Sequence, residues 1–417
     1  MNLSAELERW LAPAASELVA RVSAASAQRG YGACLVGGAV RDLLLGRASP
    51  DIDIIIEGDA EQVARDCAQP SDPPPVFHRA FGTATISSGT QRIDLATARA
   101  ESYRQPGALP DVWPGSIEDD LVRRDFTTNA MALVLGGEHH GDLIDPHGGR
   151  LDLEHGLLRI LHEQSFVDDA TRIFRGVRYE QRFGFVFEDE TKRLLFRDVE
   201  RVRDISGDRV RHEFDRIMEE IEPEPALRRL DGVGVLEVVA QGLRFDAKQA
   251  DACARARVYG LSAERLLETL WCVLAWRLAA SGVGELVTRL NLPRRLATPV
   301  GDCERLHEAE ERLDEDGLAP SSVYALLHHV SPAALNAASL LLDGAVARKH
   351  VHAYLTKLRH VRPALTGEAL REMGFASGPE IGRVLELLRD ARLDGLLNSR
   401  TEEVVLAQAV FGPGSGD

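Results

Sequence analysis

The sequence predicts an α+β protein: a head built on a mixed β-sheet, followed by an all-helical neck, body and tail. Three observations predict it. Residues 1–150 set short apolar or alternating runs beside helical stretches. From residue 155 onward, alternating segments almost vanish and apolar residues recur at helical spacing, as in AERLLETLWCVLAWRLAA and GRVLELLRDARLDGLL. The chain has 417 residues, more than one ordinary hydrophobic core holds, so several domains are expected.

The elements follow in order. Residues 1–28 read as helical. ACLVG is a short apolar strand ending at Gly37-Gly38, AVRDLLLG a helix, and DIDIII an alternating then apolar strand. TATISSG, QRIDLAT, MALVLGG and DLIDP supply the remaining strands, and QPSDPPP at 69–75 is a surface loop. Beyond Gly149 the helices are broken at Pro223, Pro225, Pro293, Pro320 and Pro363. The expected division is a head over 1–150, a neck over 151–220, and a body and tail over 221–417.

Bulk composition narrows the class. Hydrophobic content of 44% with 27% charged residues is ordinary for a soluble protein. No run of about 18 apolar residues occurs, which argues against a membrane span. The first ten residues, MNLSAELERW, carry acids where a targeting signal carries bases. The five cysteines form no CxxC pair, so zinc and disulfide frameworks are not expected and a cytoplasmic setting is. A net charge of −16 argues against nucleic-acid binding by the molecule as a whole, so any such site must be a local patch. No protein partner is evident.

Two features carry chemistry. Gly37-Gly38 lies between a strand and a helix start, where backbone N–H groups approach an anion closely, and Arg41 lies one turn into that helix. Asp51 and Asp53 are i and i+2 in extended chain, so their carboxylates share a face. They repel each other unless a cation lies between, and Ile52, Ile54, Ile55 and Ile56 should bury the strand around them. A bound Mg²⁺ resolves this. Metal-bound carboxylates beside a phosphate cradle imply phosphoryl or nucleotidyl transfer, one metal activating a 3′-hydroxyl and another holding the triphosphate. Asp94 in QRIDLAT is a third inward-facing carboxylate, with a role either in metal support or in the fold.

LVGGAVRDLLLG with DIDI resembles the opening of the bacterial class II CCA-adding tRNA nucleotidyltransferase and poly(A) polymerase family, within the polymerase-β-like superfamily. The resemblance continues through LVRRDFTTNAMAL at 121–133, LIDPHGG at 143–149 and DDATRIFRGVRYEQRFGF at 168–185. LTGEALREMGFASGPEIGRVLELL is similar, more loosely, to the family's tail. The resemblance implies metal ligation by Asp51 and Asp53, and triphosphate contacts from Gly38 and Arg41. It implies that Arg123, Arg124 and Asp125 contact the nucleotide's sugar and phosphates. Thr128 stands where the family usually has isoleucine, and Asp168 where its motif begins with glutamate.

In that last motif Asp169 and Arg172 are three apart, hence neighbours on one helix face, with Arg175 and Arg178 continuing it. Ile173, Phe174 and Val177 point to the core. Cytosine and adenine both present an amine beside a ring-nitrogen acceptor. Asp169 accepts from the amine and Arg172 donates to the nitrogen, while uracil and guanine leave the carboxylate facing a lone pair. Arg175 and Arg178 then reach phosphates.

Arginine is dense from Arg172 to Arg216. A second basic stretch holds Arg348, Lys349, Lys357, Arg359 and Arg362, with Tyr354 placed to stack, and is expected to grip tRNA. No His-Asp dipeptide occurs, so the phosphohydrolase domain of some longer relatives is not expected. The expected activity is tRNA 3′-end nucleotidyl transfer from CTP and ATP. CCA or A addition is favoured over CC-only addition, because ESYRQPGALPDVWPGSIEDD supplies a full-length loop before RRDF. Poly(A) polymerases share many of these motifs, and a non-catalytic RNA-binding relative would usually have lost a carboxylate.

Overall fold

In a computed structural model, the described residues are 1–49, 51–78, 82–105 and 107–411. They form two compact units, residues 1–217 with 232–238, and residues 218–231 with 239–417. The expected head and all but the end of the expected neck lie in the first.

The first unit opens with helices α1 (Ser4–Trp10) and α2 (Pro13–Gln28). Then come β1 (Ala33–Val36), α3 (Gly38–Leu44), β2 (Asp53–Ile56), α4 (Ala60–Cys67), β3 (Val76–His78), β4 (Thr83–Ser88) and β5 (Gln91–Thr97). A small hairpin, β6 (Arg99–Ser102) and β7 (Asp111–Pro114), precedes α5 (Ile117–Val122), β8 (Ala132–Val134), β9 (Leu143–Ile144) and α6 (Gly149–Glu154). The neck adds β10 (Leu157–Leu158), α7 (Ser165–Asp168), α8 (Thr171–Phe183), β11 (Val186–Phe187), α9 (Asp189–Asp198) and α10 (Gly207–Met218).

Seven strands form one mixed sheet in the order β3-β4-β5-β2-β1-β8-β9, with β2 and β5 parallel. One face is apolar throughout. Leu35, Ile54, Ile56, Ala84, Ile86, Ile93 and Leu95 are all buried there, under α2 and α4. The other face is covered only in part. Ile117 and Leu121 of α5 pack on Cys34, Val36, Ile55 and Ala132, closing it over β1, β2 and β8. This partial cover explains the sequence: β1 reads as a continuous apolar run because both its faces are buried, whereas β5 alternates because one of its faces is not.

Gly176 positions the neck. A Cβ there would lie 2.7 Å from the Phe126 ring and 2.8 Å from that of Phe187, so only glycine lets α8 seat this closely on the RRDF segment. Ile173, Phe174 and Val177 are fully buried, as their spacing predicts. The two-residue parallel pair β10–β11 is an exception to the all-helical expectation past residue 155.

The second unit is helical from Ala247–Arg257 to Arg400–Phe411. Trp271, fully buried on the helix Ala263–Ala275, marks its core, which the helices Arg294–Leu313 and Pro332–Leu341 complete. At the C-terminal end Leu370, Val384, Leu388 and Ala407 form a smaller cluster. The buried Glu403 ties it together, accepting from the backbone N–H groups of Ala364 and Leu365 at 2.9 and 2.8 Å and from Arg392 at 2.9 Å. No helix among the described residues is long and apolar enough to cross a membrane.

Candidate active site

A cavity of about 950 Å³ in the first unit gathers most of the expected site residues. Gly37, Gly38, Arg41, Asp51, Asp53, Arg123, Arg124, Asp125, Asp169, Arg172, Arg175 and Arg178 all line it. Asp94 lines a neighbouring cavity that also includes Asp53.

The carboxylates come from the sheet. Asp53 opens β2 and Asp51 lies just before it, while Ile52, Ile54, Ile55 and Ile56 are buried around them. Register places Asp94 of β5 beside Asp53, and Thr85 of β4 beside Asp94. The Thr85 hydroxyl donates to Asp94 at 2.5 Å, and Arg92 reaches the same oxygen at 3.4 Å. Asp53 faces the cavity, yet desolvation raises its pKa above the usual value; Arg124 pulls it down, and Asp94 and Asp51 push it up. Among the described residues nothing donates a hydrogen bond to it. No three His, Cys, Asp or Glu side chains there converge as a preformed metal cluster. The fit to a divalent cation rests on the donors: paired carboxylates, all oxygen, with negative charge that one arginine leaves uncompensated.

The glycine turn and the RRDF segment form the next wall. Gly37 has φ +65°, and a Cβ on it would meet an Arg124 nitrogen at 2.5 Å. Asp120, fully buried on α5, accepts from Arg123 Nε at 3.0 Å and from Arg124 Nη2 at 2.8 Å. Ser116 and Asp119 cap α5 with a reciprocal capping box that fixes its start. Arg41 donates to Asn129 at 2.7 Å and lies over the Phe183 ring at 4.4 Å. Asn129 donates in turn to Asp125 at 3.0 Å.

The neck helices differ in detail from the helical-face expectation. Asp169 is not on α8. It sits before the helix in extended backbone, φ −144° and ψ 96°, and its carboxylate accepts from the Thr171 N–H and hydroxyl at 2.9 and 2.6 Å. Arg209 of α10 pairs with it at 2.7 Å and also donates to the Gly107 carbonyl at 3.2 Å. Arg172 is buried and held by Ser165 Oγ at 2.6 Å and by the Arg123 carbonyl at 2.8 Å. Arg175, expected on phosphates, instead pairs with Asp125 at 2.7 Å. Burial alone would raise the Asp125 carboxyl; Arg175, the Asn129 hydrogen bond and Arg172 overcome this and hold it at about 2. Arg178 lies along Tyr179, its guanidinium 5.2 Å from the ring centre.

Sequence reasoning missed several cavity residues. Asp120, buried behind the cavity wall, was readable, because it stands three and four places before Arg123 and Arg124 on a helix. Asn129 lay in a motif already singled out. Arg209, Arg211, His212, Glu213 and Arg216 line the cavity from α10. Their stretch was read as a source of RNA contacts, and only the approach of α10 reveals the cavity role. In the second unit, Arg348 donates to the Asp343 carbonyl at 3.0 Å near a helix end, and Arg362 donates to the Arg359 carbonyl at 2.8 Å. Tyr354 is buried edge-on to Tyr324, so it offers no open stacking surface. Lys349, Lys357 and Arg359 lie on or just beyond the same helix, Ala345–Thr356.

Comparison with known proteins adds the following. Residues 33–159 match the poly A polymerase head domain. Residues 184–245 match a family described as the probable RNA and SrmB-binding site of polymerase A. An A-adding tRNA nucleotidyltransferase of Halalkalibacterium halodurans is 32% identical over 392 residues, covering 90% of this chain and 88% of that protein. A CC-adding tRNA nucleotidyltransferase of Deinococcus radiodurans is 32% identical over 382 residues, covering 91% and 89%. The solved structure of a Thermotoga maritima CCA-adding enzyme complexed with tRNA superposes with a TM-score of 0.78 at 30% identity, over 98% of each chain.

Proposed function

We infer, from the premise that this chain belongs to the tRNA nucleotidyltransferase and poly(A) polymerase family, that it adds C and/or A from CTP and ATP to the 3′ end of tRNA. It is an enzyme. The 3′ oxygen bonds to the α-phosphorus, the bond from that phosphorus to the bridging oxygen breaks, and pyrophosphate leaves. The observation that carries the reading is one cavity holding the Asp51–Asp53 pair at one wall and Asp169 with Arg172 at another.

The residues divide the work. Asp51 and Asp53 hold Mg²⁺, with Asp94 beside them. When bound, the metal supplies Lewis-acid stabilisation of the charge that develops on the phosphate oxygens. The Gly37–Gly38 turn and Arg41 receive the triphosphate at the start of α3. Arg123 and Arg124, fixed by Asp120, face sugar and phosphates. Asp125 acts one step back, through Arg175. Asp169 and Arg172 read the base. Thr171 and Arg209 orient the Asp169 carboxylate, and Ser165 with the Arg123 carbonyl orients Arg172, which supports this, since a preorganised pair discriminates by leaving the wrong base unpaired. Arg178, which lines the cavity, reaches phosphate. The head, neck, body and tail divide at 150 and 220, with the Arg348–Arg362 stretch on tRNA. Five buried, free cysteines suit a reducing cytoplasm.

CCA or A addition is the form proposed, supported by the full-length segment ESYRQPGALPDVWPGSIEDD before RRDF, whose strands β6 and β7 pair. The test gives the protein tRNAs ending before C74, after C74 and after C75, each with labelled CTP or ATP. Incorporation of A on the C75-ended tRNA is expected, and label on the shorter ones separates CCA from A addition. No incorporation on any tRNA would remove the enzyme reading. Asp169→Ala should relax the choice of base, and strict C and A selection in that variant would refute the templating account.

A further inference from the structure

A cavity of about 500 Å³ lies wholly within the second unit and shares no residue with the nucleotide site. Its size is that of an ordinary ligand cleft, roughly 300–1,000 Å³. The floor is apolar, made by Trp276, Leu278 and Leu341, each more than nine-tenths buried. Glu304, His307 and Glu308 line it from the helix Arg294–Leu313, at the spacing that sets side chains on one helix face. The Trp276 and His307 rings lie against each other, 4.6 Å between centres.

The cations of this cleft are taken. Lys248 donates to the Leu341 carbonyl at 2.6 Å and pairs with Asp343, and Arg277 pairs with Asp246 at 2.7 Å. Three other groups are not. Glu304 and Glu308 form no ion pair among the described residues. The Trp276 indole N–H donates to no described group, although the residue is only 5% exposed, and a buried indole N–H usually has a partner. That N–H is not sealed from solvent either, so it opens where the ring lines the cleft. Two carboxylates and one neutral donor over an apolar floor call for a cation on an aliphatic stem, with an acceptor oxygen close by.

We propose that this cleft docks an arginine or lysine side chain carried on a partner protein. Its cation meets Glu304 and Glu308, its stem lies on Leu278 and Leu341, and a peptide carbonyl accepts from the Trp276 N–H. The charge around the cleft favours such a partner. From Asp302 to Asp316, eight acids stand against two arginines, which attracts a basic segment and repels RNA. A free amino acid fits less well than a peptide. Its carboxylate would enter a cleft whose two cations are already neutralised, whereas a peptide carbonyl carries no charge. A tryptophan beside a pocket that takes a basic side chain is also the pairing in which binding energy concentrates at protein interfaces. The proposal does not depend on the nucleotidyl-transfer reading.

The full chain, isotope-labelled at the indole nitrogens of its four tryptophans, tests this by magnetic resonance. Trp276→Phe identifies the Trp276 signal. Titration with an acetylated, amidated triarginine peptide should shift that signal and leave the other indole signals in place. Glu304→Gln combined with Glu308→Gln should raise the Kd for the peptide roughly tenfold, the share of two part-exposed ion pairs. This double variant leaves the buried ring intact, so it tests the cleft even where Trp276→Phe fails to fold. The same double change at Glu6 and Glu8, exposed on α1, should leave the Kd within about twofold. An unmoved Trp276 signal, or an equal loss of affinity in the two double variants, would overturn the proposal. An equal shift of that signal by free L-arginine or by hexauridine would overturn it as well.

Discussion

Two sets of aspartates stand in or just behind the walls of the same cavity in opposite circumstances. On the sheet, Asp53 is exposed to the cavity, its pKa raised by the surrounding protein and by Asp94 and Asp51 against the pull of Arg124, and it receives no hydrogen bond among the described residues. On the RRDF wall, Asp120 holds two arginines, and Asp125 accepts from Arg175, Asn129 and its neighbour's backbone. A carboxylate left short of donors beside other carboxylates, open to a cavity, is set up for a cation from outside. A carboxylate saturated by arginine is scaffold, and its charge is already compensated. The same residue type therefore supplies chemistry at one wall and rigidity at the other. The difference lies in partners, not in exposure alone.

The largest effect separates them at once. Asp53→Asn should lower transfer by at least about a thousandfold, since it removes a charge that the metal requires. The variant should melt no lower than the parent, because no hydrogen bond is lost. Single-turnover assays and thermal unfolding on the same preparation check both halves. A clear drop in melting temperature would place Asp53 with the scaffold. Asp120→Ala should do the reverse. It leaves two guanidinium groups without their buried counter-ion, which costs about 3–5 kcal/mol in urea unfolding. Its loss of activity would follow from loss of fold and from the release of Arg123 and Arg124.

The sequence showed one of these walls better than the other. Asp51 and Asp53 were legible because spacing in extended chain decides which side chains share a face. The head strands were legible for the same reason. The hairpin β6–β7 was not: RAES is half-buried but mostly polar, and DVWP is largely open to solvent, so no apolar alternation marks them. The scaffold wall was half legible. Asp120 stands at helical spacing from its arginines, whereas Arg175 and Asp125 are 50 residues apart and meet only because Gly176 lets α8 come close. Asp169 was assigned the right neighbourhood and the wrong backbone. Spacing of three suggests one helix face, but a carboxylate that binds the N–H two residues ahead belongs before a helix, not on it. Tyr354 shows the same limit, since periodicity does not say which side of a basic helix is packed.

A middle-sized effect tests the scaffold through pH. The Asp125 carboxyl sits at about 2 against its usual 3.8, which corresponds to about 2 kcal/mol of stabilisation. Its folded value lies below the unfolded one, so that stabilisation is complete above pH 4 and is lost as pH falls through about 2. Asp125→Asn should therefore be less stable than the parent by a constant margin at neutral pH. The margin should close between pH 4 and 2 in urea titrations at stepped pH. A margin independent of pH down to 2 would mean that Asp125 contributes packing and hydrogen bonds but no charge.

The smallest effect falls on the residue between the two sets. Asp94 has the Thr85 hydroxyl at 2.5 Å and a distant Arg92, so it is neither bare like Asp53 nor saturated like Asp120. It is also adjacent to Asp53 across two parallel strands, on the face where the carboxylates repel. One hydrogen bond from a neutral hydroxyl contributes about 1 kcal/mol, and asparagine retains an oxygen to accept it. Asp94→Asn should then change stability by less than about 1 kcal/mol. Its charge acts on the Asp51–Asp53 site from the side, so kcat should fall by about tenfold, far short of Asp53→Asn. Raising Mg²⁺ concentration should recover part of that loss if Asp94 helps draw the cation in. A loss as deep as that of Asp53→Asn, unrelieved by metal, would make Asp94 an equal third ligand. No loss at all would assign its charge to the fold alone.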